Sequence, residues 1–144
     1  MNWKNIITYI SLCIIIIYIG YLVVNEIREY HLQDDPMIYT LKEVLRPLLD
    51  FYGIKDLKLY KADKSFTINK ERIFLCLYDE SGNYYPLNML IYVILHEIAH
   101  YLNKDDIGHT AKFHQKFEEV LAKATEFGIY NPSIPIIKNY CNSE

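Results

Sequence analysis

One pentapeptide constrains this chain more than any other stretch: His96-Glu97-Ile98-Ala99-His100, set in the apolar run that opens at Pro86-Leu87. On a helix, residues four apart share a face, so His96 and His100 project from successive turns. Two imidazoles so placed can bind one Zn²⁺, with Glu97 beside them to take a proton from a zinc-activated water. The pattern has this meaning only on a helix, and a helix is signalled. Pro86 suits a first turn. Leu87, Leu90, Ile91, Ile94, Leu95, Ile98 and Leu102 recur at helical spacing as a core-facing stripe. Asn103 and Lys104-Asp105-Asp106 end it. The plainer alternative is a buried helix that happens to carry these residues. A carboxylate among so many apolar side chains is costly unless it is paired or put to use.

A catalytic zinc usually keeps three protein ligands and an open position. The candidates for the third are His109, His114, Glu118 and Glu119. His109 is favoured, because it follows Gly108 on a loop where the chain must turn back towards the first helix. His114 reads otherwise as a surface histidine, and Glu119 lies off the apolar stripe of its own helix. That helix is expected over Thr110 to Phe127, with Phe113, Phe117, Val120, Leu121, Ala124 and Phe127 on one side and Gly128 as its stop.

The N-terminus sets a second constraint. Asn5 to Asn25 carries no charged residue and is dominated by Ile, Leu and Val. About 20 apolar residues in helix cross a bilayer's hydrocarbon core. A single-pass anchor over residues 1–25 is therefore expected, contacting lipid through residues 5–25. A cleavable signal peptide fits less well, since no small-residue cleavage site follows. Residues 26–35 form a polar connector. The remainder, 36–144, has room for one compact domain. Past residue 35 stand thirteen Lys and Arg against fourteen Asp and Glu. So balanced a domain is not built to hold nucleic acid through phosphate contacts, and no nucleic-acid partner is expected.

Asp35-Pro36 opens a helix whose stripe is Ile38, Leu41, Val44, Leu45, Leu48 and Tyr52. Pro47 should kink or split it, and Gly53 ends it. Strands are expected over Ile54 to Lys61, Phe66 to Ile68 and Ile73 to Tyr78, the last two joined through Asn69-Lys70-Glu71. Asp79-Glu80-Ser81-Gly82-Asn83 is a turn. The lysines at 55, 58, 61 and 64 read as a solvated edge. Cys13, Cys76 and Cys141 have no disulfide-framework spacing. Cys76 and Cys141 can pair in an oxidising compartment, but separate buried thiols are the favoured reading. The tail beyond Ile129, with Pro132 and Pro135, should wrap the domain without regular structure.

Between Ile73 and Phe127 the chain resembles the WLM/SprT-like group of zinc metallopeptidases. The resemblance rests on four features: the strand Leu75-Cys76-Leu77-Tyr78 leading to Gly82, the Pro86-Leu87 helix start, His96-Glu97-Ile98-Ala99-His100, and His109 with an aromatic, Phe113, four residues on. It implies an α+β, zincin-like minimal domain, with a small sheet packed on the His-Glu-x-x-His helix and flanking helices, behind the N-terminal transmembrane helix. It implies Zn²⁺ as cofactor, His109 as third ligand with Phe113 as packing, and Glu97 as general base. The expected activity is hydrolysis of peptide bonds in a protein or peptide substrate, at a membrane. The short anchored form resembles WLM-like proteins of large DNA viruses, which would place it in a host or virion membrane. Two rivals are a catalytically inactive, membrane-tethered zinc-containing binding module and a DNA-directed protease. The intact Glu97 argues against the first, the near-neutral charge against the second.

Overall fold

The computed structural model describes residues 2–68, 72–105 and 108–142. The expected Asn69-Lys70-Glu71 connector and Asp106 lie outside them. The chain divides into two compact units, Met1–Asp34 and Asp35–Glu144. The first is one helix, α1 (Trp3–Gln33), with no buried residue. It runs unbroken through most of the polar connector. At 31 residues it is about 46 Å long, and it is apolar enough over its first two-thirds to cross a membrane.

The second unit is α+β. Its order is α2 (Pro36–Phe51), β1 (Lys58–Lys61), β2 (Phe66–Ile68), β3 (Arg72–Leu75), α3 (Leu87–Leu102), α4 (Ala111–Glu126) and a 3-10 turn at Tyr140–Asn142. The strands lie in the order β1-β3-β2, with β1 parallel to β3 and β2 antiparallel to it. Leu59, Ile73 and Thr67 share one row across the sheet, and Tyr60, Phe74 and Phe66 the next. Side chains alternate between sheet faces, so the two rows face opposite ways. The second row forms a ladder of stacked rings, 4.9 Å from Tyr60 to Phe74 and 4.6 Å from Phe74 to Phe66. The core lies between the first face and the helices. Ile38, Leu41, Leu45 and Leu48 of α2, Leu90, Ile94, Leu95 and Ile98 of α3, and Phe113, Val120 and Ala124 of α4 are all completely enclosed.

Local chemistry explains the boundaries. Asp35 caps α2 by accepting from the Met37 N–H at 2.9 Å. Thr110 caps α4 by accepting from the Phe113 N–H at 3.2 Å. Gly128 closes α4 at φ +70°, a conformation other residues reach only with strain.

Several expectations are corrected. Pro47 does not split α2, which continues to Phe51. Pro47 lies on the exposed side, where water can serve the carbonyl that its missing N–H leaves without a partner. Pro86 precedes α3 as its N-cap instead of joining its first turn, and Leu87 is partly exposed while Met89 takes a core position. Among the described residues the first strand is Lys58–Lys61, in register with Arg72–Leu75 of β3. Residues 54–57 still bury Ile54 and Leu57 without strand pairing. β3 stops at Leu75 because the Cys76 N–H donates to the Ser65 hydroxyl. Tyr78 instead makes an isolated bridge with Tyr84.

The favoured reading of the cysteines is overturned: Cys76 and Cys141 form a disulfide, with Cα atoms 6.1 Å apart. The tail brings them together. Tyr140 packs against Tyr85 and donates its hydroxyl to the Cys76 carbonyl at 2.6 Å, while the Cys141 N–H donates to the Tyr85 hydroxyl.

Candidate metal centre

α3 carries His96 and His100 one turn apart, their ring centroids separated by 4.9 Å. α4 packs across α3, and the loop between them returns at Gly108, whose φ of +88° suits glycine. That turn delivers His109 to the same point. Nε2 of His109 lies 3.0 Å from Nε2 of His96 and 3.3 Å from Nε2 of His100. The ligand atoms of all three lie within 4.8 Å of one another.

Protons alone do not account for this convergence. Each nitrogen of a neutral imidazole is either a donor or a lone-pair acceptor. Nε2 of His109 is faced by two others and can serve only one of them well. A cation receiving three lone pairs resolves the conflict. Nitrogens held 2.0–2.1 Å from a tetrahedral zinc lie about 3.3 Å apart, close to the two spacings found. The residues therefore fit a divalent metal of zinc's preferences. His109 is exposed and the two α3 histidines are half-buried, so solvent reaches the cluster from the His109 side.

Phe113, in the first turn of α4, holds the histidines from beneath. It is fully buried and lies nearly parallel to His100, with centroids 4.1 Å apart. It meets His96 and His109 edge-on, each at 4.9 Å. Phe117 adds an edge contact to His96. Burial, then the neighbouring imidazoles of His100, His109 and His114, push the His96 pKa down to about 4. His96 is thus neutral at pH 7, the form in which an imidazole ligates.

Glu97 follows His96 and is half-buried. Burial raises its pKa, while a hydrogen bond from Thr67 and the proximity of His109 partly offset the rise. The donor is the Thr67 hydroxyl of β2, received by Oε2 of Glu97. Sequence reasoning missed Thr67. It is thirty residues from Glu97, and a threonine in a short strand carries no signal beyond its β propensity.

The other third-ligand candidates stay outside the cluster. His114 is exposed, its ring 6.3 Å from that of His109. Glu118 is exposed, and Glu119 pairs with Lys116 at 2.5 Å.

No family model matches this chain. Uncharacterized protein 136R of Invertebrate iridescent virus 6 is 50% identical over 91 residues, 61% of this chain and 51% of that protein. Uncharacterized protein 042R of Invertebrate iridescent virus 3 is 42% identical over 99 residues, 68% of this chain and 62% of that protein. The chain thus spans between about half and three-fifths of the length of these curated relatives. Among solved structures, Wss1 from Saccharomyces cerevisiae superimposes with a TM-score of 0.55 at 19% identity, covering 64% of this chain and 79% of Wss1. A mutant of Wss1 gives 0.56 at 19%, covering 69% and 91%. The fold is WLM-like.

Proposed function

We propose that this chain is a membrane-anchored, zinc-dependent metalloendopeptidase. The observation that carries the reading is the convergence of His96, His100 and His109, with the carboxylate of Glu97 half-buried beside them. A site that only held a metal for structure would need no such carboxylate, and burying one costs free energy. The likeness to Wss1, a WLM-domain metalloprotease, supports the same class.

His96, His100 and His109 would hold the ion, fixed by Phe113 beneath them. Zinc, when bound, makes water more acidic and polarises the carbonyl to be attacked. Glu97 accepts the attacking water's proton and delivers it to the leaving amine. β2 is an edge of the sheet and connects to Glu97 through Thr67. An extended, unfolded segment of protein would add along it as a further strand, recognised mainly by its backbone. Residues 36–144 would form the peptidase domain, and residues 5–25 of α1 the single-pass anchor that keeps it at a membrane. The near balance of charge supports a protein substrate over nucleic acid.

The test is reversible metal removal on the full chain in detergent micelles. Cleavage of an unstructured protein is expected to stop with a chelator and return with Zn²⁺ alone. Cleavage that persists in metal-free protein would refute the reading. The anchor is tested separately by alkaline extraction: the full chain should remain with the membrane, and a chain lacking residues 1–34 should be released.

A further inference from the structure

β2 is three residues long, and its side chains divide between two faces. Phe66 and Ile68 stand away from α3 and are 43% and 42% exposed. Thr67 stands on the face with Leu59 and Ile73, and its hydroxyl donates to Oε2 of Glu97. Two features make this donor well fixed. Thr67 is β-branched, so its χ1 is stiff. Its backbone is paired in register with Ile73 of the central strand. Glu97, by contrast, is unbranched, and its terminal torsion is broad and roughly two-fold. A carboxylate on a helix, left alone, samples several orientations; one gripped by a hydroxyl on a neighbouring sheet does not.

We propose that Thr67 is the positioning residue for Glu97. Its hydroxyl holds one carboxylate oxygen and leaves the other to receive the water's proton. This rests on the peptidase reading above and extends it. Thr67 belongs to the edge strand along which a substrate would add, so the base takes its orientation from the element that places the peptide. A shift of β2 by one residue would remove the grip and misplace the substrate together, since side chains alternate in a strand.

The test compares Thr67→Val, which keeps the shape and loses the hydroxyl, with Thr67→Ser, which keeps the hydroxyl. Both are made in the full chain in detergent micelles, alone and combined with Glu97→Ala. With Zn²⁺ and an unfolded protein as substrate, Thr67→Val is expected to lower kcat about 10- to 100-fold, the usual scale for losing a group that orients a site. KM and zinc content should be unchanged, and Thr67→Ser should recover most of the lost rate. A second readout needs no metal and no turnover. In metal-free protein, Thr67→Val should shift the thermal midpoint when Glu97 is present and not when it is Ala, as expected of coupled partners. Equal shifts in both backgrounds would overturn the proposal. So would wild-type kcat in Thr67→Val, or Thr67→Ser falling as far as Val. An inactive wild type with full zinc and intact coupling would instead overturn the peptidase reading, and this role for Thr67 with it. An active wild type indifferent to Thr67→Val would overturn the role of Thr67 alone.

Discussion

The ring of Phe113 lies against the ring of His100, 4.1 Å between centroids and 25° from parallel. One side chain thus closes the core and supports the site. Phe113→Ala is expected to lower folding stability by about 3–5 kcal/mol, the usual cost of truncating a buried aromatic. It should also weaken metal binding about 10- to 100-fold, because His100 loses its support. Phe113→Leu should restore much of the stability and little of the affinity. Urea unfolding and a competitive zinc titration separate the two effects.

His109 and His114 are five residues apart, and only His109 joins the cluster. His109→Ala is expected to reduce zinc affinity by more than the roughly 100-fold that loss of a supporting group can cause. His114→Ala should leave it unchanged. Zinc stoichiometry of the two variants at micromolar free metal is the check. Equal losses would mean that the exposed His114 ring swings in as a ligand.

Asp35 joins three parts of the domain. Besides capping α2, it accepts from the hydroxyls of Tyr78 at 2.6 Å and Tyr84 at 3.0 Å. Burial by itself would raise its pKa, but the donors Tyr78, the Met37 N–H and Tyr84, with Lys61 nearby, outweigh it and hold the pKa below 3.8. A depressed carboxyl pKa contributes stability that is present above the unfolded value and is lost as pH falls through the folded one. Stability should therefore decline as pH drops below about 4. Asp35→Asn, still a competent cap, should flatten that decline. Asp35→Ala should cost roughly 1–2 kcal/mol at neutral pH. Acid titrations of unfolding free energy for the three proteins make the comparison.

The disulfide joins residues 65 apart. On the chain-entropy account, closing such a loop contributes roughly 4 kcal/mol. Reduction, or Cys141→Ser, is expected to lower the thermal midpoint by many degrees. Added reductant should have no further effect on Cys141→Ser. Calorimetry with and without reductant tests this.

The parts of this molecule written as repeating patterns were legible in its sequence. The stripes of α3 and α4, the cap Asp35 and the stop at Gly128 are local, and each was placed to within a residue or two. Thr110, expected as the first helical residue, is the cap, and Phe127 falls past the end of α4 and is exposed. His96 and His100 share a face by helical geometry alone. His109 could be favoured because Gly108 marks a turn. What depends on distant partners was not legible. The cysteine pairing is set by where Tyr140 docks, and the grip on Glu97 by a threonine on another element. Leu87 shows the limit even within a stripe, since a helix's first residue can follow the period and still face solvent.

The central claim is that Glu97 moves the proton in a metal-assisted hydrolysis. It is tested most directly by Glu97→Gln in the full chain, which keeps size and polarity and removes the base. Zinc content and cleavage of an unfolded protein are measured beside wild type. The expected result is full zinc occupancy with cleavage reduced by at least about 100-fold, the lower range for a lost general base. Cleavage at the wild-type rate by fully loaded Glu97→Gln would contradict the account.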